Sequence, residues 1–588
     1  MKSLSYLNKY FIQYKWLLLL GVLFIIASNI FNVYMPLIVR DAVNEFETNF
    51  SAENWLSLAV YVGGVYILLS LGKGIFLFFT RQTIIKVSRH IEYDLKNEIY
   101  NQYQQLNYNF YKANSTGDLM NRISEDVSKV RMYLGPGVMY SVNLVVLFIF
   151  ILWSMLSINV ELTLYTLTPL PLMSYLIYKV SNTMNRQSEQ VQRELSTISN
   201  IVQESFSGVT VLKAYGGEPR FQENFNDSSE RYLKKHMALV KTNAFFMPTI
   251  TLLIGLSTIL TIYLGGILSF QPESTITNGD IVAFIFYVNM LTWPFASVGW
   301  VTSLIQRAAA SQERINEFLK QEPEIKNPSM SPFDFNGKIV FKNVSYTFPT
   351  SGIKAIDNLS FEINKGETLA ILGKTGSGKS SIINLLMRQF DPDSGEVLID
   401  DIPLTSININ DFRNQTGIVP QEVFLFSDSI KNNVKFGLPS KEDCDDAKII
   451  DILKTTHVYH NIQGFKNGLD TVLGERGVNL SGGQKQRISI ARALIRNPKF
   501  LILDDCLSAV DTETEEIILS NIKNQIEKNT TLIVSHRVSS IRNANRIIVI
   551  DQGKMVEEGT HEELLALKGV YFEMYERQLL EDTKESED

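Results

Sequence analysis

The sequence predicts a multi-domain chain of two unlike parts: an all-α, six-helix membrane region with long helical extensions, then an α/β domain on a largely parallel sheet. Three observations predict it. Nearly all the long apolar runs lie before residue 310. Later, short apolar strands such as Thr368–Leu372 and Phe500–Leu503 alternate with helical patterns, as in strands joined by crossover helices. Between the halves, Glu322–Asn336 contains Pro323, Pro328 and Pro332 with few strong helix formers, which reads as a linker. The expected divisions are 1–321, linker 322–336, 337–575 and an acidic tail 576–588. The 588 residues carry a net charge of −7, and the mean hydropathy of +0.02 averages two dissimilar halves. With 20% charged and 45% hydrophobic residues, a disordered or fibrous chain is excluded. The slight acidity points away from nucleic acid as a partner. The two cysteines, Cys444 and Cys506, rule out a disulfide framework and suit a reducing compartment.

A helix crossing about 30 Å of hydrocarbon needs about 20 mostly apolar residues. Six stretches meet or approach that length: Trp16–Val39, Trp55–Thr80, Tyr133–Leu156, Leu162–Tyr178, Ala244–Phe270 and Ile281–Leu304. The fourth is the shortest and carries Pro169 and Pro171. The first is too long for a secretory signal and no small-residue cleavage site follows it. The connections at 41–53, 157–161 and 271–280 contain no Lys or Arg, whereas Arg81–Arg131 carries eight and Lys179–Lys241 nine. The positive-inside rule then predicts a multi-pass protein of the cytoplasmic membrane with both N- and C-termini in the cytoplasm. The two long basic segments read as helical hairpins projecting beyond the lipid bilayer. Lys73, between Gly72 and Gly74, lies inside a predicted span. It is either a contact for an anionic substrate group or a lysine snorkelling to the interface. The stripe Phe284, Tyr287, Leu291 and Phe295 reads first as packing and second as a substrate route.

The chemistry lies in the second half. Gly373-Lys374-Thr375-Gly376-Ser377-Gly378-Lys379-Ser380 stands between a strand and a helix and matches the P-loop pattern. Its glycines let backbone N–H groups converge on phosphate oxygens, Lys379 reaches the terminal phosphates, and the Ser380 hydroxyl can ligate Mg²⁺. The strand Phe500–Leu503 delivers Asp504, where a P-loop enzyme holds its magnesium. Leu480-Ser481-Gly482-Gly483-Gln484 opens a helix and makes a second anion cradle. A second cradle is redundant for one nucleotide unless it closes on the γ-phosphate held by another copy's P-loop.

In this order the motifs resemble the ABC exporters in which one chain carries six spans and one nucleotide-binding domain, the multidrug-type half-transporters. The resemblance covers essentially the full length and implies ATP and Mg²⁺ as ligands. It implies ATP contacts from Gly373 to Ser381 (Gly373, Lys374, Thr375, Gly376, Ser377, Gly378, Lys379, Ser380, Ser381) and from the signature Ser481, Gly482, Gly483 and Gln484. Gln421, in Val-Pro-Gln-Glu, matches the glutamine that touches Mg²⁺ with Ser380 and Asp504. Asp511, in Ser508-Ala509-Val510-Asp511, matches the loop crossing between two domains. His536 matches the switch histidine at the γ-phosphate, and Phe348 stands where an aromatic stacks on adenine. Thr116-Gly117-Asp118-Leu119 and Tyr215-Gly216-Gly217-Glu218 resemble stretches in or near the coupling helices.

One position departs from the pattern. Where the family's active sites carry a water-polarising glutamate, this chain has Asp505, one methylene or roughly 1.5 Å shorter. Loss of a positioned base costs about 10²–10⁴ in rate. Either Asp505 is a slower base in a homodimer, or the chain is the weak half of a heterodimer; the second is preferred. With Asp505, His536 and Lys379 as the catalytic set, the expected function is ATP-driven export of a drug- or lipid-like substrate by alternating access. A peptide or lipid exporter, and an ATP-switched membrane regulator or channel, are the alternatives.

Overall fold

The computed structural model describes residues 2–49, 55–271, 276–327, 331–349, 351–439, 444–474, 477–506, 512–526 and 529–585. They form two compact bodies, Met1–Gln105 with Ser115–Gln321, and Leu106–Asn114 with Glu322–Asp588.

The first body is helical. Among the described residues five helices are long and apolar enough to cross a membrane: Lys15–Thr48, Trp55–Gln105, Thr116–Ile158, Glu218–Ser269 and Asn278–Leu319. At 1.5 Å per residue, the 52 residues of Glu218–Ser269 extend about 78 Å, far beyond a bilayer's hydrocarbon. The fourth expected span is not one continuous helix. It divides at Thr168 into Val160–Leu167 and Pro169–Ser207. Pro169 and Pro171 bring no N–H to the ladder, so the helix restarts there. Asn159, in extended conformation, caps the first piece by accepting the Leu162 N–H at 2.8 Å.

Phe284, Tyr287 and Leu291 are buried against Val33, Leu147, Ile151 and Met155. The Tyr287 hydroxyl donates to the Val33 carbonyl at 3.0 Å. The aromatic stripe is therefore core. Lys73 is half-buried and its Nζ donates to Asn32 Oδ1 at 2.8 Å, while the neighbouring Asn29 donates to Asn143 Oδ1 at 2.8 Å.

The second body contains two sheets. Strands β1 (Ile339–Thr347), β2 (Lys354–Ile363), β4 (Ser394–Ile399) and β5 (Ile402–Pro403) form an antiparallel sheet in the order β2-β1-β4-β5. Strands β3 (Thr368–Leu372), β6 (Thr416–Val419), β7 (Phe500–Asp504), β8 (Thr530–Ser535), β9 (Arg546–Asp551) and β10 (Lys554–Gly559) form a second sheet in the order β10-β9-β3-β8-β7-β6. Every residue of β3, β7 and β8 is buried. Such strands read as continuous apolar runs because both faces of a parallel sheet are covered. One face packs on Ile382, Leu386 and Phe412, the other on Ile488, Leu494 and Ile518.

The segment 576–588, expected as an acidic tail, is helical to Glu585 as part of Val570–Glu585. Tyr571, Met574 and Tyr575, which precede that segment on the same helix, lie on one face and pack into the core.

Leu532, fully buried in the central strand β8, offers a direct test. Leu532→Ala should destabilise this second body by about 2–5 kcal/mol, read as a lowered melting midpoint.

Candidate active site

Strands β3, β8, β7 and β6 lie side by side and parallel, with Leu372 opposite Ser535, Asp504 opposite Val534 and Val419 opposite Leu503. Their carboxyl ends are therefore level. Gly373 follows β3, His536 follows β8, Asp504 closes β7 with Asp505 directly after it, and Gln421 stands two residues past β6. The rim outside the carboxyl ends of parallel strands is where open α/β sheets bind ligands.

The loop from Gly373 turns into the helix Lys379–Leu386. Gly378, the residue before that helix, has φ +106°, and a Cβ there would collide with the Ala355 carbonyl. Only glycine takes that conformation in that space. Lys379 Nζ donates to the carbonyls of Gly373 at 2.6 Å and Lys374 at 2.9 Å, so the ammonium is held against the loop. Burial lowers the pKa of Lys379, and the charges of Asp505 and Asp504 oppose that shift. The Ser377 hydroxyl is buried in the loop without a hydrogen-bond partner, as expected of a donor that a phosphate oxygen would satisfy.

Asp504 is 8% exposed. Desolvation and the neighbouring Asp505 push its pKa up to about 6, with Lys379 pulling the other way. A buried carboxyl reluctant to ionise suits a cation. Together with the Ser380 hydroxyl and the Gln421 amide oxygen it offers the hard oxygen donors that Mg²⁺ takes.

Asp505 has φ +47°, a left-handed conformation that Asp tolerates better than most residues. Its N–H donates to the Val534 carbonyl at 2.7 Å. Its two carboxylate oxygens lie 2.8 and 2.9 Å from His536 Nδ1, and Gln421 Nε2 donates to Oδ2 at 3.3 Å. An ionised carboxylate only accepts, so Nδ1 carries the proton of this bond and, in the neutral ring, Nε2 is an acceptor.

Phe348 follows β1, and Tyr346 and Phe390 meet it edge-on with centroids 5.3 and 6.1 Å away. Lys112 Nζ stands 4.5 Å from the Phe348 ring centre, and Tyr108 meets Phe390 at 5.8 Å. Both belong to the Leu106–Asn114 segment of this body, whereas Thr116–Leu119 and Tyr215–Glu218 belong to the first body.

The signature residues stand on another helix, Gly482–Leu494. Ser481 Oγ accepts the Gln484 N–H at 3.3 Å, and the Ser481 N–H donates to Gln484 Oε1 at 3.1 Å. This capping box commits the Gln484 side chain to the helix start. Asp511 lies outside the described residues. The sequence reading treated Asp505 and His536 separately; their direct pairing depends on β7 and β8 being neighbours. Gln578, which bonds the backbone at His536, was also missed, though it shares the 571/574/575 periodicity.

Residues 18–295 match the family described as ABC transporter transmembrane region, and residues 356–508 the family described as ABC transporter. A "probable multidrug resistance ABC transporter ATP-binding/permease protein" of Bacillus subtilis (strain 168) is 35% identical over 585 residues, 99% of this chain and 98% of its own. The chain belongs to the ABC transporters. An ATP-dependent lipid A-core flippase of Coxiella burnetii is 30% identical over 97% of this ABC transporter and 95% of its own length. The structure of a bacterial Atm1-family ABC exporter with ATP bound matches with a TM-score of 0.77 at 25% identity, covering 98% of this chain and 99% of that one. The transporter thus has the exporter architecture: a membrane-embedded helical domain fused to an ATP-hydrolysing domain. As a half-transporter it works as a dimer.

The electrostatics at Asp504 carry a signed consequence. Its folded pKa of about 6 lies above the ordinary 3.8, so its negative charge burdens the folded state above pH 6 and ceases to do so as the acid protonates. Asp504→Asn should stabilise the protein at pH 7.5 by at most about 3 kcal/mol, read as a raised melting temperature. The gain should fade as pH falls from 6 towards 4.

Proposed function

We propose that this transporter exports an amphipathic, drug- or lipid-like substrate out of the cytoplasm by alternating access, as the catalytically weaker half of a heterodimer. The observation that carries the heterodimer reading is Asp505. It stands at the position of the water-orienting base with a side chain one methylene short, and its carboxylate is bound to His536 and Gln421. A partner chain supplies the full-length base at the second site, and Ser481, Gly482 and Gly483 of this chain complete that site.

The chain's own residues then divide the work. Phe348 stacks on adenine. The N–H groups of Gly373–Ser381 and the ammonium of Lys379 grip the β- and γ-phosphates. Ser380, Gln421 and Asp504 would hold Mg²⁺, which when bound neutralises charge on the phosphate oxygens. His536, steadied through Nδ1 by Asp505, presents Nε2–H towards the γ-phosphate as the imidazolium, because a phosphate oxygen only accepts. Closure of two nucleotide-binding domains on ATP draws the helical extensions together, and loss of the γ-phosphate contacts releases them. The loop-charge asymmetry supports both termini lying in the cytoplasm.

Lys73 supports an anionic group on the substrate. Its ammonium is half-buried and donates to Asn32 Oδ1 at 2.8 Å. A cation held at membrane depth beside neutral amides favours an anion. The relatives are named for multidrug resistance and for flipping lipid A-core, and both suit an amphipathic cargo.

ATPase activity of the full chain, alone and with a half-transporter partner, tests the heterodimer reading. The chain alone should run about 10²-fold slower than the pair, Asp505→Glu should speed it, and Asp505→Ala should leave the pair nearly unchanged. A chain active alone and silenced by Asp505→Ala would make it a homodimer. In proteoliposomes, Lys73→Gln should weaken stimulation of ATPase by an anionic amphiphile roughly tenfold, that by its neutral analogue far less. Equal loss for both would remove the anionic group from the proposal.

A further inference from the structure

We propose that Gln578, on the C-terminal helix Val570–Glu585, is a positioning residue for the γ-phosphate contact: its amide fixes the main chain that carries His536. The inference rests on the reading of His536 given above and extends it to a part of the chain that none of the nucleotide motifs includes.

Strand β8 ends at Ser535, so His536 is the first residue beyond the ladder. Its side chain is 43% exposed and is not held by packing. What orients the ring is its bond to Asp505 and the course of its backbone. Gln578 sets that course from both sides of Arg537. Its Nε2 donates to the His536 carbonyl at 2.7 Å, and its Oε1 accepts the Val538 N–H at 2.7 Å. One primary amide thus meets one acceptor and one donor, as a neighbouring strand would, where the sheet offers no strand.

Gln578 can do this because its helix is anchored. The Glu557 carboxylate accepts the N–H groups of Val570 at 2.6 Å and Tyr571 at 3.0 Å, satisfying two of the helix's unpaired donors. Tyr571 is fully buried, its hydroxyl 2.6 Å from His561 Nδ1, and Met574 and Tyr575 pack on the same core. Gln578 follows Tyr571 by seven residues and Met574 by four, on the same helical face. A shift of the C-terminal helix would therefore reach His536 directly, through two hydrogen bonds and no intervening side chain.

Full-length protein with Gln578→Met, which keeps the length of the side chain and removes both bonds, tests this. The readout is the ratio of ATP to ADP affinity, since only ATP carries the phosphate that His536 would contact, and it needs no hydrolysis. His536→Ala should lower the ratio roughly tenfold. Gln578→Met should lower it about three- to tenfold with ADP affinity unchanged within about twofold, and should add nothing in the His536→Ala background. Gln578→Leu should behave as Gln578→Met does. If Gln578→Met weakens ADP as much as ATP, or its effect adds to that of His536→Ala, Gln578 merely holds its helix and the inference is wrong. If His536→Ala leaves the ratio unchanged, the role given to His536 fails, and that of Gln578 fails with it.

Discussion

Everything in the nucleotide site depends on four parallel strands ending at the same level. Side chains alternate along a strand, so a slip of one residue between β8 and β3 would move His536 by about 3.3 Å and turn it to the other face. What prevents the slip is burial. Leu369, Ile371, Ile502 and Leu532 are all fully buried, and any other register would turn them into the packing of the opposite helical layer, where their shapes do not fit. The helical layers on both sides of the sheet are therefore the frame that aligns one phosphate loop with two aspartates, a histidine and a glutamine.

That alignment brings like charges together. Asp504 and Asp505 are adjacent and buried, with Lys379, the imidazole of His536 and the amide of Gln421 set against them. Asp505 is also held in a left-handed backbone conformation. Charge repulsion and backbone strain of this kind collect at functional sites, where the surrounding core tolerates them. In the proposed reading, the polyanionic nucleotide would meet an ammonium and a row of N–H groups, and Mg²⁺ would meet Asp504 and not Asp505, which is bound to His536 and Gln421.

Features that arise from neighbouring residues were legible in the sequence. The glycines of Gly373–Gly378 mark a tight loop before a helix whatever surrounds them. Ser481 and Gln484 are spaced as a capping box, and the apolar run Phe500–Leu503 reads as a buried strand. Features that depend on distant contacts were not. Asp505 and His536 are 31 residues apart and meet only because β7 pairs with β8. Asn32 and Lys73 meet across two helices, which hydropathy cannot show. The prolines at 169 and 171, where the helix restarts, were visible, whereas the cap at Asn159 that starts the preceding piece was not. At the C-terminus, the acidic residues masked the face formed by Tyr571, Met574, Tyr575 and Gln578.

In the proposed reading, the short Asp505 and the intact remainder of the site belong to a chain that would grip ATP, hydrolyse it slowly and lend its signature to a partner. The claim beneath this picture is that all four strand ends serve a single bound nucleotide. Hydrogen–deuterium exchange on the full chain, with and without Mg·ATP, measures that most directly. Protection should appear together at 373–381, 421–423, 504–506 and 535–538, and Lys379→Ala should abolish it at all four. Protection confined to the phosphate loop, or indifferent to Lys379, would contradict the account.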